Sequence, residues 1–225
     1  MTEGSSTSFS IPSIRNILFD LGGVLLDIDY SKAAMAFKKL GVANDDHLLS
    51  ASSMGIFNRF DCGQISPSAF QVEMCALVGM PLSSEQVTGA WNAMLLDWDL
   101  KRLELVEALR KRYRVYLLSN TNSIHYSCYN QRLKAITGGR SLNSYFDRAY
   151  YSFEVGLRKP QREIFNLVVE SSGLIPAETL FVDDTEENIR MASEIGMATR
   201  WIQPGEAALL PSILAGFLSE LVDRS

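Results

Sequence analysis

Residues 14–25 read Ile14-Arg-Asn-Ile-Leu-Phe-Asp20-Leu-Gly22-Gly23-Val-Leu25, a short apolar run closed by an acid and a glycine pair. Such a run, bounded by turn residues, has the pattern of a buried strand. The acid decides the reading, because a carboxylate at the end of a buried strand is costly without a partner or a task. Parallel α/β sheets gather their ligands at the carboxyl ends of the strands. Asp20 therefore marks an edge at which other chemical groups are to be sought.

Beyond that strand, residues 31–98 hold four helix-like stretches, at 31–40, 45–57, 66–78 and 83–96, and no convincing strand. Ser66-Pro67 opens the third with proline in the first turn, and Ser83 caps the fourth. The pattern then changes to alternation. Helix-like residues 99–112, 160–171 and 185–194 separate strand-like residues 113–119, 148–151, 179–183 and 198–202. Alternation of this kind predicts an α/β fold, a Rossmann-like parallel sheet with helices on both faces. The early helices then form an inserted four-helix cap. The expected division is a disordered Ser/Thr-rich tail at 1–13, a core at 14–30 and 99–225, and a cap at 31–98.

The predicted strand ends carry Asp20, Ser119-Asn120 and Asp183-Asp184, and Lys159 precedes a helix in Gly156-Leu-Arg-Lys-Pro160. Taken singly, these residues fit turns, a helix cap or a solvated lysine. Together, two acidic sites, a hydroxyl with an amide, and a lysine suit a phosphate and a divalent cation.

In order and spacing, Phe19-Asp-Leu-Gly-Gly-Val-Leu25, Leu118-Ser-Asn120, Lys159-Pro160 and Phe181-Val-Asp-Asp184 resemble the four motifs of the haloacid dehalogenase superfamily. The stretches FDLGGVLLDID, LLSNTN and GLRKP are most similar to its sugar-phosphatase branch, which includes bacterial α-glucose-1-phosphate phosphatase. The resemblance implies a phosphoric monoester hydrolase with Asp20 as nucleophile, passing through an aspartyl-phosphate. It implies Mg²⁺ held by Asp20, Asp183 and the Gly22 carbonyl, with Asp184 acting through water or positioning Lys159. Ser119 and Asn120 would donate to phosphoryl oxygens beside the Gly22-Gly23 turn, and Lys159 would supply positive charge.

One departure is chemical. Most phosphatases of this superfamily carry a second Asp two residues after the nucleophile, as general acid; here that position is Gly22. A borrowed donor such as Asp27 or Asp29 is one answer, and their structural reading is helix entry and solvation. The alternatives are a silent phospho-ligand binder, or a 2-haloacid dehalogenase, which lacks the second Asp but needs no acid pair such as Asp183-Asp184.

The expected substrate is a small phosphorylated metabolite, a sugar phosphate by resemblance. Candidates to meet it from the cap are Asn58, Arg59, Asp61 and Gln64, whose other reading is a polar loop. His125 faces the site or packs on its helix. Trp91 and Trp98 pack the bundle or line a sugar face, and Met54, Met74, Met80 and Met94 read as core.

Composition narrows the rest. A chain of 225 residues, 47% hydrophobic and 21% charged, is long enough for a substantial core. Its net charge of -5 argues against nucleic acid or an anionic membrane as partner. Three cysteines (Cys62, Cys75, Cys128) in no CxxC pattern point to a reducing, cytoplasmic setting. No apolar run reaches the length of a membrane span. A monomer or homodimer is expected. There is no GxxxxGK[ST], GxGxxG or GxSxG stretch, so P-loop, dinucleotide-binding and serine-hydrolase readings fall away.

Overall fold

The computed structural model describes residues 14–42 and 51–223. The tail expected over 1–13 lies outside these residues, as does the side chain of Met54. In chain order, β1 (Asn16–Phe19) and β2 (Leu26–Ile28) are followed by four helices: α1 (Tyr30–Lys39), α2 (Ala51–Asp61), α3 (Pro67–Val78) and α4 (Ser84–Asn92). The chain continues through β3 (Leu95–Trp98), α5 (Leu100–Leu109), β4 (Arg114–Ser119), α6 (Ser123–Ile136), β5 (Arg148–Tyr151) and the short α7 (Ser152–Val155). It ends with α8 (Arg162–Ser172), β6 (Thr179–Asp183), α9 (Glu186–Glu194), β7 (Ala198–Trp201) and α10 (Leu210–Asp223).

Five strands form one sheet in the order β5-β4-β1-β6-β7, and every pairing in it is parallel. Alternation of side chains along the strands supplies two cores. Ile17 and Phe19 of β1, Val115 and Leu117 of β4, and Leu180 and Val182 of β6 join one cluster with α5, α6 and α10. Leu18, Tyr116, Leu118 and Phe181 point the other way, against Ile164, Phe165 and Val168 of α8 and Ala192 of α9. Helices thus cover both faces, as expected of a parallel sheet. The chain leaves β1 for β4 and β5 on one side, then returns to β6 and β7 on the other. The reversal opens the crevice at the end of β1.

Three expectations are corrected. The helix expected over 83–96 stops at Asn92, and Leu95–Trp98 is a strand, β3, paired antiparallel with β2 through Leu26↔Trp98 and Ile28↔Leu95. That pairing spans about 70 residues of chain, so local pattern could not reveal it. Second, the stretch read as a loop after residue 57 is helical to Asp61. Its last turn is held by aromatic packing: Phe60 stacks on Phe70 at 4.3 Å, and Phe57 meets Trp91 at 4.6 Å. Third, α10 closes the first core with Leu210 and Leu214, where no element was expected.

Caps define the inserted helices. Asp29 caps α1 by accepting from Ser31 N at 3.0 Å, and Ser66 caps α3 ahead of Pro67. Ser83 and Gln86 form a capping box on α4. Trp98 Nε1 donates to Tyr129 O at 3.0 Å, tying the β2–β3 ribbon to α6. Met74 and Met94 are buried as expected, and the three cysteines are unpaired. No helix among the described residues is long and apolar enough to cross a membrane.

Candidate active site

Asp20 follows β1 directly, and its N–H still donates to Val182 O at 2.9 Å, so the sheet ladder fixes its position. The next turn is closed by Leu25 N and Leu26 N, both donating to Leu21 O at 2.8 Å. Gly23 sits at φ 73°, and a Cβ there would run into the carboxylate of Asp184. Glycine is required on both counts, since a side chain would be strained and would block the approach of two strand ends.

Lys159, 1% exposed, lies between two carboxylates, with Nζ 2.7 Å from Asp20 Oδ1 and 2.6 Å from Asp183 Oδ2. Burial opposes its charge, but Asp183 and Asp20 outweigh that effect and hold the ammonium above the usual lysine value. Asp20 is pushed up to about 7, by burial above all and by Asp183 and Asp184, against the pull of Lys159. Burial and the neighbouring Asp183 also raise Asp184.

Asp20, Asp183 and Asp184 each present a carboxylate oxygen within 4.8 Å of the others. Their remaining bonds separate their tasks. Asp183 accepts from Thr185 N at 2.8 Å, from Asn188 Nδ2 at 2.9 and 3.1 Å, and from Lys159. The carboxylate of Asp184 accepts a long bond of 3.3 Å from Thr185 Oγ1 and is exposed. Asp183 is thus the acid of the pair that meets Lys159, and Asp184 keeps its carboxylate more open beside it. Three carboxylates against one ammonium leave a negative surplus of hard oxygen donors, which suits a small divalent cation.

Asn120 reaches the lysine as well. Its Oδ1 accepts from Lys159 N at 2.8 Å and its Nδ2 donates to Lys159 O at 2.9 Å, so the amide positions the lysine. Ser119 is buried and lines the adjoining cavity.

That cavity, of about 300 Å³, lies between the strand ends and the inserted helices, with Gly22, Ser119 and Asn120 on one side and Phe57, Asn58 and Trp91 on the other. Of the four insert candidates, Asn58 and Asp61 line it; they lie three apart on one face of α2. Arg59 does not, because its guanidinium pairs with Glu73, and Gln64 is exposed beyond the helix end. The suggested proton donors have other partners. Asp27 is bound by Arg102 at 2.8 and 3.1 Å, Asp29 caps α1, and neither lines the cavity.

Sequence reasoning left His125 open and missed Asn92, Asn122 and Arg158. His125 is buried, stacks on Trp91 at 5.1 Å and places Nδ1 2.9 Å from Asn92 Oδ1. Burial lowers its pKa to about 3, so it is neutral. Asn122 caps α6 through His125 N at 3.0 Å and donates to Asp61 Oδ1 at 3.1 Å. Burial pushes Asp61 up to about 6, partly offset by Asn122 and Arg158.

A parallel sheet that brings a buried lysine and three acids to its switch point, beneath an inserted set of helices, defines a hydrolase of the haloacid dehalogenase type. The chain belongs to that family: the haloacid dehalogenase-like hydrolase pattern matches residues 14–196. It is 40% identical over 198 residues to the D-ribitol-5-phosphate phosphatase of Bacteroides thetaiotaomicron, covering 87% of this chain and 94% of that one. A solved haloacid dehalogenase-family enzyme of B. thetaiotaomicron, in complex with magnesium and inorganic phosphate, is 37% identical with a TM-score of 0.78, covering 86% of this chain and 96% of its own. A predicted hydrolase of the same type from Porphyromonas gingivalis is 34% identical, with a TM-score of 0.81 over 91% of this chain and 98% of its own. Likeness to L-2-haloacid dehalogenases, at 21% identity and TM-score 0.57, concerns the fold alone.

Proposed function

We propose that this chain is a Mg²⁺-dependent phosphoric monoester hydrolase acting on a small phosphorylated metabolite, a sugar or alditol phosphate. The observation that carries the reading is Lys159 held between Asp20 and Asp183, with Asp184 open beside them. The ribitol-phosphate activity of the relative from Bacteroides supports the substrate class.

In this reading Asp20 attacks phosphorus. A P–O bond to its carboxylate forms as the bond to the alcohol oxygen breaks, the departing alkoxide takes a proton from water, and water then hydrolyses the aspartyl-phosphate, returning the carboxylate. Lys159 holds Asp20 in place and offsets the charge of the phosphoryl oxygens. Ser119 donates to those oxygens, and Asn120 keeps Lys159 in register. Asp20, Asp184 and the Gly22 carbonyl would hold the cation, which supplies Lewis-acid stabilisation of the phosphoryl group when bound. Asp27 and Asp29 do not supply the leaving-group proton, being engaged elsewhere. Helices α1–α4 act as a cap over the cavity, keeping bulk water from the intermediate.

The test is phosphate release from a panel of sugar and alditol phosphates, with and without Mg²⁺, for wild type and Asp20→Asn. Release that needs both magnesium and Asp20 supports the reading. Phosphate binding with no release from any ester makes the chain a silent binder.

A further inference from the structure

The wall of the cavity carries Leu26, Ile28, Phe37, Phe57 and Met94 among its apolar residues, and several polar side chains interrupt it away from the strand ends. Two of them are acceptors. Asn92 Oδ1 can only accept, so His125 Nδ1 carries the ring hydrogen and Nε2 keeps its lone pair. Asp61 is held through one oxygen by Asn122, and the other has no such bond. Three can donate. Trp91 Nε1, Tyr129 Oη and Arg158 Nε are buried with no hydrogen-bond partner among the described residues, and all three residues line the cavity. Buried donors without partners are rare in folded proteins and ask for an explanation.

Acceptors and donors carried by residues around one small apolar space match a group that both gives and takes a hydrogen bond. That group is the alcohol hydroxyl. A phosphate or carboxylate would meet repulsion at Asp61 and no donor at His125, while a hydrocarbon would leave every polar atom unpaired. We propose that His125, Asp61 and Trp91 form a hydroxyl-recognition edge that selects phosphomonoesters of polyhydroxylated alcohols. The proposal rests on the hydrolase reading above.

The edge is assembled across a seam. Asn92 and Asp61 belong to the inserted helices, whereas His125 and Asn122 belong to α6 of the sheet domain. Each cross-pair joins one residue from either side, so the reader exists only when the insert sits over the sheet. Recognition of the alcohol and enclosure of the phosphoryl group are thereby the same event.

D-ribitol 5-phosphate and n-pentyl phosphate have equal carbon chains and differ in hydroxyls, which makes them the discriminating pair. With full-length enzyme and Mg²⁺, wild type is expected to favour the ribitol ester in kcat/KM. His125→Phe, which keeps the stacking surface, should lower the ratio of the two kcat/KM values by at least about tenfold, chiefly through KM for the ribitol ester. His125→Gln, which restores an acceptor, should recover part of it. If His125→Phe does not fold, Asn92→Leu carries the same expectation, since it frees the imidazole hydrogen without touching the ring. Equal use of the two esters by wild type, or a ratio unmoved in these variants, overturns the inference alone. No release by wild type from these two esters or from any ester of the wider panel overturns the hydrolase reading and this inference with it, whereas release from the panel but not from the ribitol ester overturns the inference alone.

Discussion

The side-chain amide of Asn120 closes on the peptide of Lys159 from both ends, accepting from its N–H at 2.8 Å and donating to its carbonyl at 2.9 Å. The residue after Ser119 is thus a clamp for the lysine. Removing it should cost positioning. For Asn120→Ala we expect kcat to fall by about 10–100-fold, with the affinity for Mg²⁺ retained. Steady-state kinetics and metal titration separate this from a direct phosphate contact, whose loss would raise KM with little change in kcat.

The division between the adjacent acids gives a second expectation. Asp184→Ala should weaken Mg²⁺ binding by at least about tenfold, since it removes an uncommitted oxygen ligand. Asp183→Asn should leave more of the binding but lower stability, by stranding Lys159 with one carboxylate. The loss is about 3–5 kcal/mol if the pair behaves as other buried ion pairs do. Calorimetric Mg²⁺ titration and urea unfolding of both variants check this, and stronger metal loss in Asp183→Asn would reverse the assignment.

Asp27 tests the borrowed proton. The guanidinium of Arg102, its side chain 4% exposed, rests on this carboxylate. Asp27→Asn is expected to reduce stability by about 1–3 kcal/mol while kcat stays within about threefold. A loss of kcat by about 100-fold, at unchanged melting temperature, would return Asp27 to the list of acids.

Asp61 sets a pH dependence whose sign is fixed by its burial. Its carboxyl keeps its proton up to about 6 in the folded chain, against 3.8 as the ordinary value. Between those pH values the folded state binds more protons than the unfolded state, so the group's contribution to stability declines as pH rises from about 4 to about 6. Metal-free wild type should lose about 1–3 kcal/mol relative to Asp61→Asn over that interval, and the difference should be flat above it. Denaturation midpoints at several pH values measure it, and a wild type that gains on the variant as pH rises would refute the burial argument.

What the sequence disclosed, and what it withheld, follows from the range of the forces involved. β1 was legible because Ile17, Leu18 and Phe19 are buried on both faces and read as one apolar run ending at Asp20. β6 was legible in the same way from Leu180 to Asp183. Asp20, Ser119, Lys159 and Asp183 could be gathered because strand ends in a parallel sheet share one edge. Contacts made between distant segments could not be gathered. Nothing local marks Leu95–Trp98 as the partner of β2, since its register is set by residues far back in the chain. Arg59 reads alike with Asn58 and Asp61 in one polar stretch, yet helical periodicity through Asp61 turns it toward Glu73 and leaves Asn58 lining the cavity. Asn122 and Asn92 look like ordinary cap and helix-end residues until the two sides of the seam are brought together.

The β2–β3 ribbon has a consequence for how such enzymes diversify. Ile28 and Leu95 are cross-strand neighbours, so the chain leaves the sheet domain and re-enters it at one spot. A tight turn joining those two residues would close the sheet domain without the intervening helices, and a different insert could be mounted on the same pair. Under the proposed reading, exchanging the insert would replace Asp61, Trp91 and Asn92 while His125 and Asn122 stayed with the sheet, so a gene could revise one half of the alcohol contact and keep the other.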